Sequence, residues 1–233
     1  MAKLTYLQLT NRVLGRITQS TISDVTAATG QALIVTQLIN EAQNELFTED
    51  NWYSLYTSRS IATVASTATY AVATDFGRSI SLTDETGNRI LIEDYGKAFD
   101  EVDPNNDQTG NPLFFCLQGG NYRLYPIPAG IYTLRDRYWH VPTTLAANAN
   151  TSDLPIETEN CILQWSLYRV LEYLNKFEAA DRARIEYLNM LKKAKEMNSK
   201  MIDKMHVFTA SNYGNTQLLR PQFPSGYPAG GGF

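Results

Sequence analysis

Apolar residues at helical spacing open the chain. Tyr6, Leu9, Val13 and Ile17 fall on one helical face, and the pattern predicts a helix over 5–18. Thr5 stands at the cap position, and Gln8 three residues on completes a capping box. A second stripe, Ile34, Leu38, Ala42 and Leu46, predicts a helix over 31–48, closed by Trp52 and Tyr53 as apolar anchors. The Ser-, Thr- and Gly-rich stretch between the two helices reads as a loop.

The period then changes to two, and residues 54–140 read as strands. Ser60–Thr67 and Thr69–Ala73 alternate as a hairpin. Arg78–Leu82 and Arg89–Ile92 form a strand pair around Asp84-Glu85-Thr86-Gly87-Asn88. Asp94–Val102 reads as a short helix, and 103–112 as a polar loop with two prolines. Leu113–Leu117 and Tyr122–Tyr125 flank Gln118-Gly119-Gly120-Asn121, a hairpin signal because both glycines permit positive φ. Ile131–Trp139 adds another strand.

Asp153, Pro155 and Glu157 mark a helix start: a capping side chain, a proline in the first turn and a carboxylate at the positive end of the dipole. The helical pattern runs over 155–205, with Asn175-Lys176 as its breaking point. Ile162, Trp165, Leu167, Val170, Leu171 and Leu174 supply the apolar positions, and Ile185, Leu188 and Leu191 continue them. Together these segments predict an α+β fold. N-terminal and long C-terminal helices pack as a bundle, with a central antiparallel sheet inserted between them, in one body over 1–206. Residues 207–233 differ in kind. Pro221, Pro224 and Pro228 exclude a helix or a central strand there, and the segment reads as an extended arm.

At 233 residues the chain is long enough for a sizeable core. Charged residues make up 19% of it, below the usual quarter, so much of the surface is neutral or covered by partners. A net charge of −4 argues against duplex DNA as a tightly held ligand, because phosphate binding calls for a basic surface. Cys116 and Cys161 fit no zinc spacing, and two buried thiols are expected ahead of a disulfide. The N-terminal residues read as neither a signal peptide nor a membrane anchor, which points to a cytoplasm-like compartment.

Catalytic chemistry finds little footing. The two histidines, His140 and His206, lie far apart in sequence. There is no Gly-x-Ser-x-Gly elbow and no phosphate-binding Walker loop. Asp103, Asn105 and Asp107 match the first three ligand positions of an EF-hand. Gln108 and Phe114 then stand where its glycine and its glutamate are required. Glu93-Asp94 and Asp100-Glu101 are carboxylate pairs of the kind glycoside hydrolysis uses, and a solvated acidic face accounts for them more simply. No catalytic residue, metal ligand or cofactor is therefore assigned. Lys192, Lys193, Lys195, Lys200 and Lys204 make a basic helix end suited to the dipole or to an acidic partner.

The arm carries the stronger signal. A disordered tail is normally charged and poor in aromatics. This one holds Arg220 as its one charged side chain, together with Phe208, Tyr213, Phe223, Tyr227 and Phe233. These six residues are the candidate partner interface, a segment that orders by laying aromatic anchors into a partner's pockets.

The order of parts resembles a known family. Asp50-Asn51-Trp52 ends the N-terminal helices, and Tyr70 precedes Asp75-Phe76. Gly110-Asn111-Pro112, Leu124-Tyr125-Pro126-Ile127-Pro128, Val141-Pro142-Thr143-Thr144-Leu145 and Leu154-Pro155-Ile156-Glu157 follow before the long helix. This resembles the head-to-tail adaptor (connector) proteins of short-tailed bacteriophages, over roughly residues 5–200. Val72-Ala73 departs from the Leu-Pro pair common at that point.

The resemblance implies a structural virion protein without enzymatic activity. It implies a homo-oligomeric ring of about twelve copies between the portal protein and the tail nozzle protein, with genomic DNA passing through the lumen. It would be made in the host cytoplasm and reside at the head–tail junction, with no membrane contact. The alternatives are another phage structural protein, tail-fibre or capsid-associated, and after that a virion glycan hydrolase using Glu93 or Glu101.

Overall fold

The computed structural model describes residues 2–85, 89–93, 100, 101, 103, 105 and 107–211. Most of the helix expected over 94–102 therefore lies outside the described residues, as do Thr86-Gly87-Asn88 of the expected turn. The described residues form an α+β fold with four α-helices and mixed sheets.

Helix α1 (Tyr6–Arg16) begins as its sequence dictates. Thr5 accepts from the Gln8 backbone N–H, and the Gln8 side chain accepts from the Thr5 N–H. Helix α2 spans Gly30–Glu49. Its buried face is Val35, Ile39, Ala42 and Leu46, whereas Ile34 and Leu38 of the expected stripe are only partly buried. The two stripes share Ala42 and Leu46. The 4-3-4 spacing from Val35 keeps more apolar side chains against the core, so the first half of the helix is rotated by one residue relative to the expectation.

The strands are β1 (Tyr56–Ala62), β2 (Thr69–Ala71), β3 (Phe76–Asp84), β4 (Arg89–Ile90), β5 (Ile92–Glu93), β6 (Thr109–Gly110), β7 (Phe114–Gln118), β8 (Asn121–Tyr125), β9 (Ile127–Pro128) and β10 (Thr133–His140). One sheet has the order β1-β10-β3-β4, a second β2-β8-β7-β5, and β6 pairs with β9. The hairpin of β7 and β8 turns through Gly119 and Gly120, with φ of 57° and 75°.

Three expectations change here. The central sheet is not antiparallel throughout, because β5 runs parallel to β7 and β6 parallel to β9. Parallel neighbours need a long connection, and the stretch from 94 to 113 supplies one. Residues 60–73 do not form a hairpin: β1 pairs with β10, and β2 with β8. Alternation fixes which side chains share a face but not which strand is the partner. The chain crosses between sheets at a corner where Thr63 N–H donates to Tyr132 O, and Ser66, at φ 63°, donates to Pro128 O. Finally, the arm does not begin at Val207, since helix runs on to Ser211.

Helix α3 covers Glu159–Tyr173 and helix α4 covers Phe177–Ser211. The break falls at Asn175, at φ 56°, a conformation asparagine tolerates better than most residues. A short 3-10 turn, Ile156–Thr158, precedes α3. Asp153 does not cap that helix, as it lies too far upstream. Its carboxylate accepts from the Thr143 N–H at 2.8 Å and steadies the preceding loop. The buried face of α4 is Ala180, Ala183, Tyr187, Leu191 and Ala194. Ile185 and Leu188, expected in the core, are 60% and 52% exposed. Small alanines let α4 lie close on α3, and that approach fixes which face turns inward.

The four helices share one apolar core, to which Leu9, Val13, Ile39, Leu46, Trp52, Ile162 and Val170 contribute as fully buried residues. A second, smaller core lies between the two larger sheets: Leu82, Leu91, Phe115, Tyr122, Leu124 and Leu134. Cys116 and Cys161 are both buried thiols, and burial pushes the Cys161 thiol up to about 11.

Trp165 is 7% exposed, meets Tyr168 edge-on at 5.7 Å and lies under the Arg169 guanidinium. Trp165→Ala is expected to lower the unfolding free energy by about 3–5 kcal/mol, measured by urea denaturation. A loss below about 1 kcal/mol would place the indole outside the working core.

Candidate interaction surface

The polar residues singled out in the sequence are tied into the framework. Asp103 accepts from the backbone N–H groups of Gln108 at 2.9 Å and Asp107 at 3.3 Å. The acidic loop therefore spends this carboxylate on its own turn. His140 ends β10, with Nδ1 3.0 Å from Val141 O. Asp100 meets Arg123 at 2.7 Å. Glu93 and Glu101 are exposed. Among the described residues, no group of three or more His, Cys, Asp or Glu side chains is placed to hold a metal ion, and no helix is long and apolar enough to cross a membrane.

Between the sheets sits a buried carboxylate. Asp136 on β10 is fully buried. It accepts from the Tyr122 hydroxyl on β8 at 2.7 Å and from Arg59 Nε on β1 at 3.1 Å. Arg59 also donates to Ala71 O on β2 at 2.6 Å. One acid and one base thus cross-link strands of both sheets. Nearby, the Tyr138 hydroxyl donates to Asp75 at 3.0 Å. Burial, and next the hydrogen bond to Asp75, push the Tyr138 phenol up to about 12, and burial followed by Asp136 raises Tyr122 further.

The sheets join the helices at Asp50-Asn51-Trp52. Trp52 is fully buried, and its indole N–H donates to Leu46 O at 2.6 Å. Asn198 of α4, itself 2% exposed, donates to Asp50 at 3.0 Å and to Asn51 O at 2.9 Å, and accepts from Tyr53 N–H at 2.9 Å. Arg78 at the start of β3 reaches back to Asn51 Oδ1 at 2.8 Å, to Phe47 O and over the Phe47 ring. A Cβ at Gly77 would collide with that ring and stand 2.8 Å from Trp139 O, so only glycine fits there.

What remains for partners is the exposed apolar surface. Val64 (58% exposed) and Ile131 (78%) sit together at the corner where the chain changes sheets, held by the Thr63 hydroxyl bond to Gly130 O at 2.9 Å. Tyr173 and Phe177 stand out at the α3–α4 elbow, and Ile185 and Leu188 follow along α4. Leu33 is exposed on α2, together with Gln37, Glu41, Asn44 and Glu45. Sequence reasoning placed Ile185 and Leu188 in the core and did not single out Leu33 or Asn198. The 3-4-4-3 run of Ala180, Ala183, Tyr187, Leu191 and Ala194 is the signal that identifies the true inner face. Of the six arm residues, Phe208 lies in the last turns of α4. Tyr213, Arg220, Phe223, Tyr227 and Phe233 lie outside the described residues.

A family model described as SU10 adaptor protein matches residues 4–212, which takes in every helix and strand described above. No curated protein matches the chain.

Tyr122 and Tyr138 make the fold sensitive to alkali. Each phenol ionises later in the folded chain than in the unfolded one, where the ordinary value is 10.0. Their contribution is complete below pH 10; that of Tyr138 is lost as the pH climbs from 10 through about 12, and that of Tyr122 continues to fall above it. The melting temperature is expected to hold to about pH 10 and then fall, with late-titrating tyrosine absorbance at 295 nm. Tyr138→Phe should make the fall shallower. An unchanged profile in that variant would show that Tyr138 is not one of the groups responsible.

Proposed function

We propose, because the chain belongs to the SU10 adaptor protein family of bacteriophage head-to-tail adaptors, that it forms a ring of about twelve copies between the portal protein and the tail nozzle of a phage particle. The family match over residues 4–212 is the observation that carries this reading. The protein acts as a virion part at the head–tail junction, without turnover chemistry of its own. Genomic DNA passes through its lumen during ejection.

Two physical features support the assignment. A ring that DNA must slide through should not grip phosphate, and the chain's net charge of −4 suits that task. A part that seats between two others also needs stiff joints. Here Asn198, Arg78 and Trp52 lock the helices to the sheets.

The body up to residue 206 works as one unit: a helical bundle carrying the sheets. The segment from Phe208 onward, which includes the last turn of α4, is an arm that fastens the protein to the portal or to a neighbouring copy, with Phe208, Tyr213, Phe223, Tyr227 and Phe233 as anchors and Arg220 as its charged contact. Prolines limit the entropy lost when such a segment orders, and aromatic anchors have few rotatable bonds.

Mixing the full chain with its phage's portal protein should give a stable complex by gel filtration and rings in electron micrographs. Failure to bind portal under any condition would sink the adaptor reading. Cell-wall clearing abolished by Glu93→Gln or Glu101→Gln would replace it with the hydrolase alternative. Deleting residues 208–233 is expected to leave the melting temperature within a few degrees of the parent and to weaken portal capture or ring closure. Unchanged capture and ring formation would remove the arm from the interface.

A further inference from the structure

Two exposed helix faces of the chain complement each other. On α2 the outward stripe runs Leu33, Gln37, Glu41 and Glu45, with Leu33 44% exposed. The charged residues of that helix are Glu41, Glu45 and Glu49. On α4 the outward stripe runs Ile185, Leu188 and Lys192, with Lys193 beside it. Among the described residues, Glu41, Glu45, Lys192 and Lys193 make no ion pair within the chain. Each face therefore has an apolar start and a charged continuation: Glu41 and Glu45 on α2, and Lys192 and Lys193 on α4, with Glu196 one turn further on.

We infer that the Ile185–Leu188–Lys192 face of α4 is the surface on which the Leu33–Glu41 face of α2 from a second copy packs, joining copies front to back. This rests on the adaptor reading above and specifies how its ring closes.

Register and direction favour this pairing. Leu33 to Glu41 and Ile185 to Lys193 are equal intervals, each spanning about 12 Å at roughly 1.5 Å per residue. With the helices side by side and running the same way, Leu33 meets Ile185 and Leu188 while Glu41 meets Lys192 and Lys193. Within one chain the two helices do run the same way. Lys195 pairs with Glu49 at 2.7 Å, and Asn198, three residues on, reaches Asp50 at 3.0 Å and accepts from the Tyr53 N–H at 2.9 Å. Positions on both helices thus climb together. Rotation about an axis along the helices preserves that sense from one copy to the next, as a cyclic ring requires. A two-fold contact of α4 with another α4 would reverse the sense and stop at two copies.

The test uses the full-length protein in sedimentation velocity over a concentration series at low salt. The wild-type chain should build species larger than a dimer. Leu188→Asp and Leu33→Asp each change an exposed side chain. Each should keep the parent melting temperature and weaken association by at least about ten-fold. An equal mixture of these two variants retains one intact contact per pair, so it should give a heterodimer and nothing larger. Lys192→Glu with Lys193→Glu should also abolish association, and adding Glu41→Lys with Glu45→Lys in the same chain should restore it.

The inference is overturned if the mixture gives no heterodimer, or if Leu33→Asp associates like the parent while Leu188→Asp does not. It is equally overturned if the wild-type chain stays monomeric at every concentration. Portal capture, measured separately on the same proteins, decides the adaptor reading. A chain captured by portal whose association ignores these substitutions loses this interface and keeps its role.

Discussion

Everything in this fold hangs on the burial of Trp52. Its indole fills the space where α2 stops and the strand region begins, and its N–H donates to Leu46 O in the last turn of the helix. Around it, Asn198 and Arg78 consume the polar groups that the turn would otherwise bury unpaired. Such groups are costly to leave without partners, so the arrangement holds as a set. The helices can share a core and the sheets can share another only because this corner fixes one against the other. The same corner explains why Gly77 carries no side chain.

A second constraint works at the centre of the strand region. Asp136 is a fully buried carboxylate between two sheets, and burying a charge is tolerable only with a close partner and further hydrogen bonds. Arg59 and Tyr122 provide them, from strands of different sheets. The cost of separating these groups keeps the two sheets in one relative position. The polar centre thus ties the two sheets together beside the apolar core they share.

Local signals in the sequence were legible where the chemistry is local. Thr5 with Gln8, Gly119 with Gly120, and the break at Asn175-Lys176 each concern a few adjacent backbone groups, and each appears in the structure. Strand partners were not legible. Alternation in residues 56–73 fixes faces, while pairing of β1 with β10 and of β2 with β8 depends on distant residues such as Asp136 and Tyr122, the first of which Arg59 meets across the sheet. The inner face of α4 was misread because larger side chains were taken as the core, where close helix packing selects alanine. The exposed faces of α2 and α4 were hidden for the same reason: exposure is set by what packs elsewhere. Asp50-Asn51-Trp52 stood out as a motif, but its meaning needed Asn198, far along the chain.

Strand β10 has eight residues and runs from the Trp52 corner out to the paired loops bearing Val64 and Ile131. At about 3.4 Å per residue it holds that tip about 27 Å from the helices. This makes the strand region a lever whose fulcrum is the corner. A rocking of about 5° there would carry the tip through about 2 Å over that length, enough to unseat a close-packed contact. The accuracy with which the far end of the molecule is placed is therefore set by a handful of bonds at its other end, and loosening Asn198 or Arg78 would blur a surface that neither residue touches.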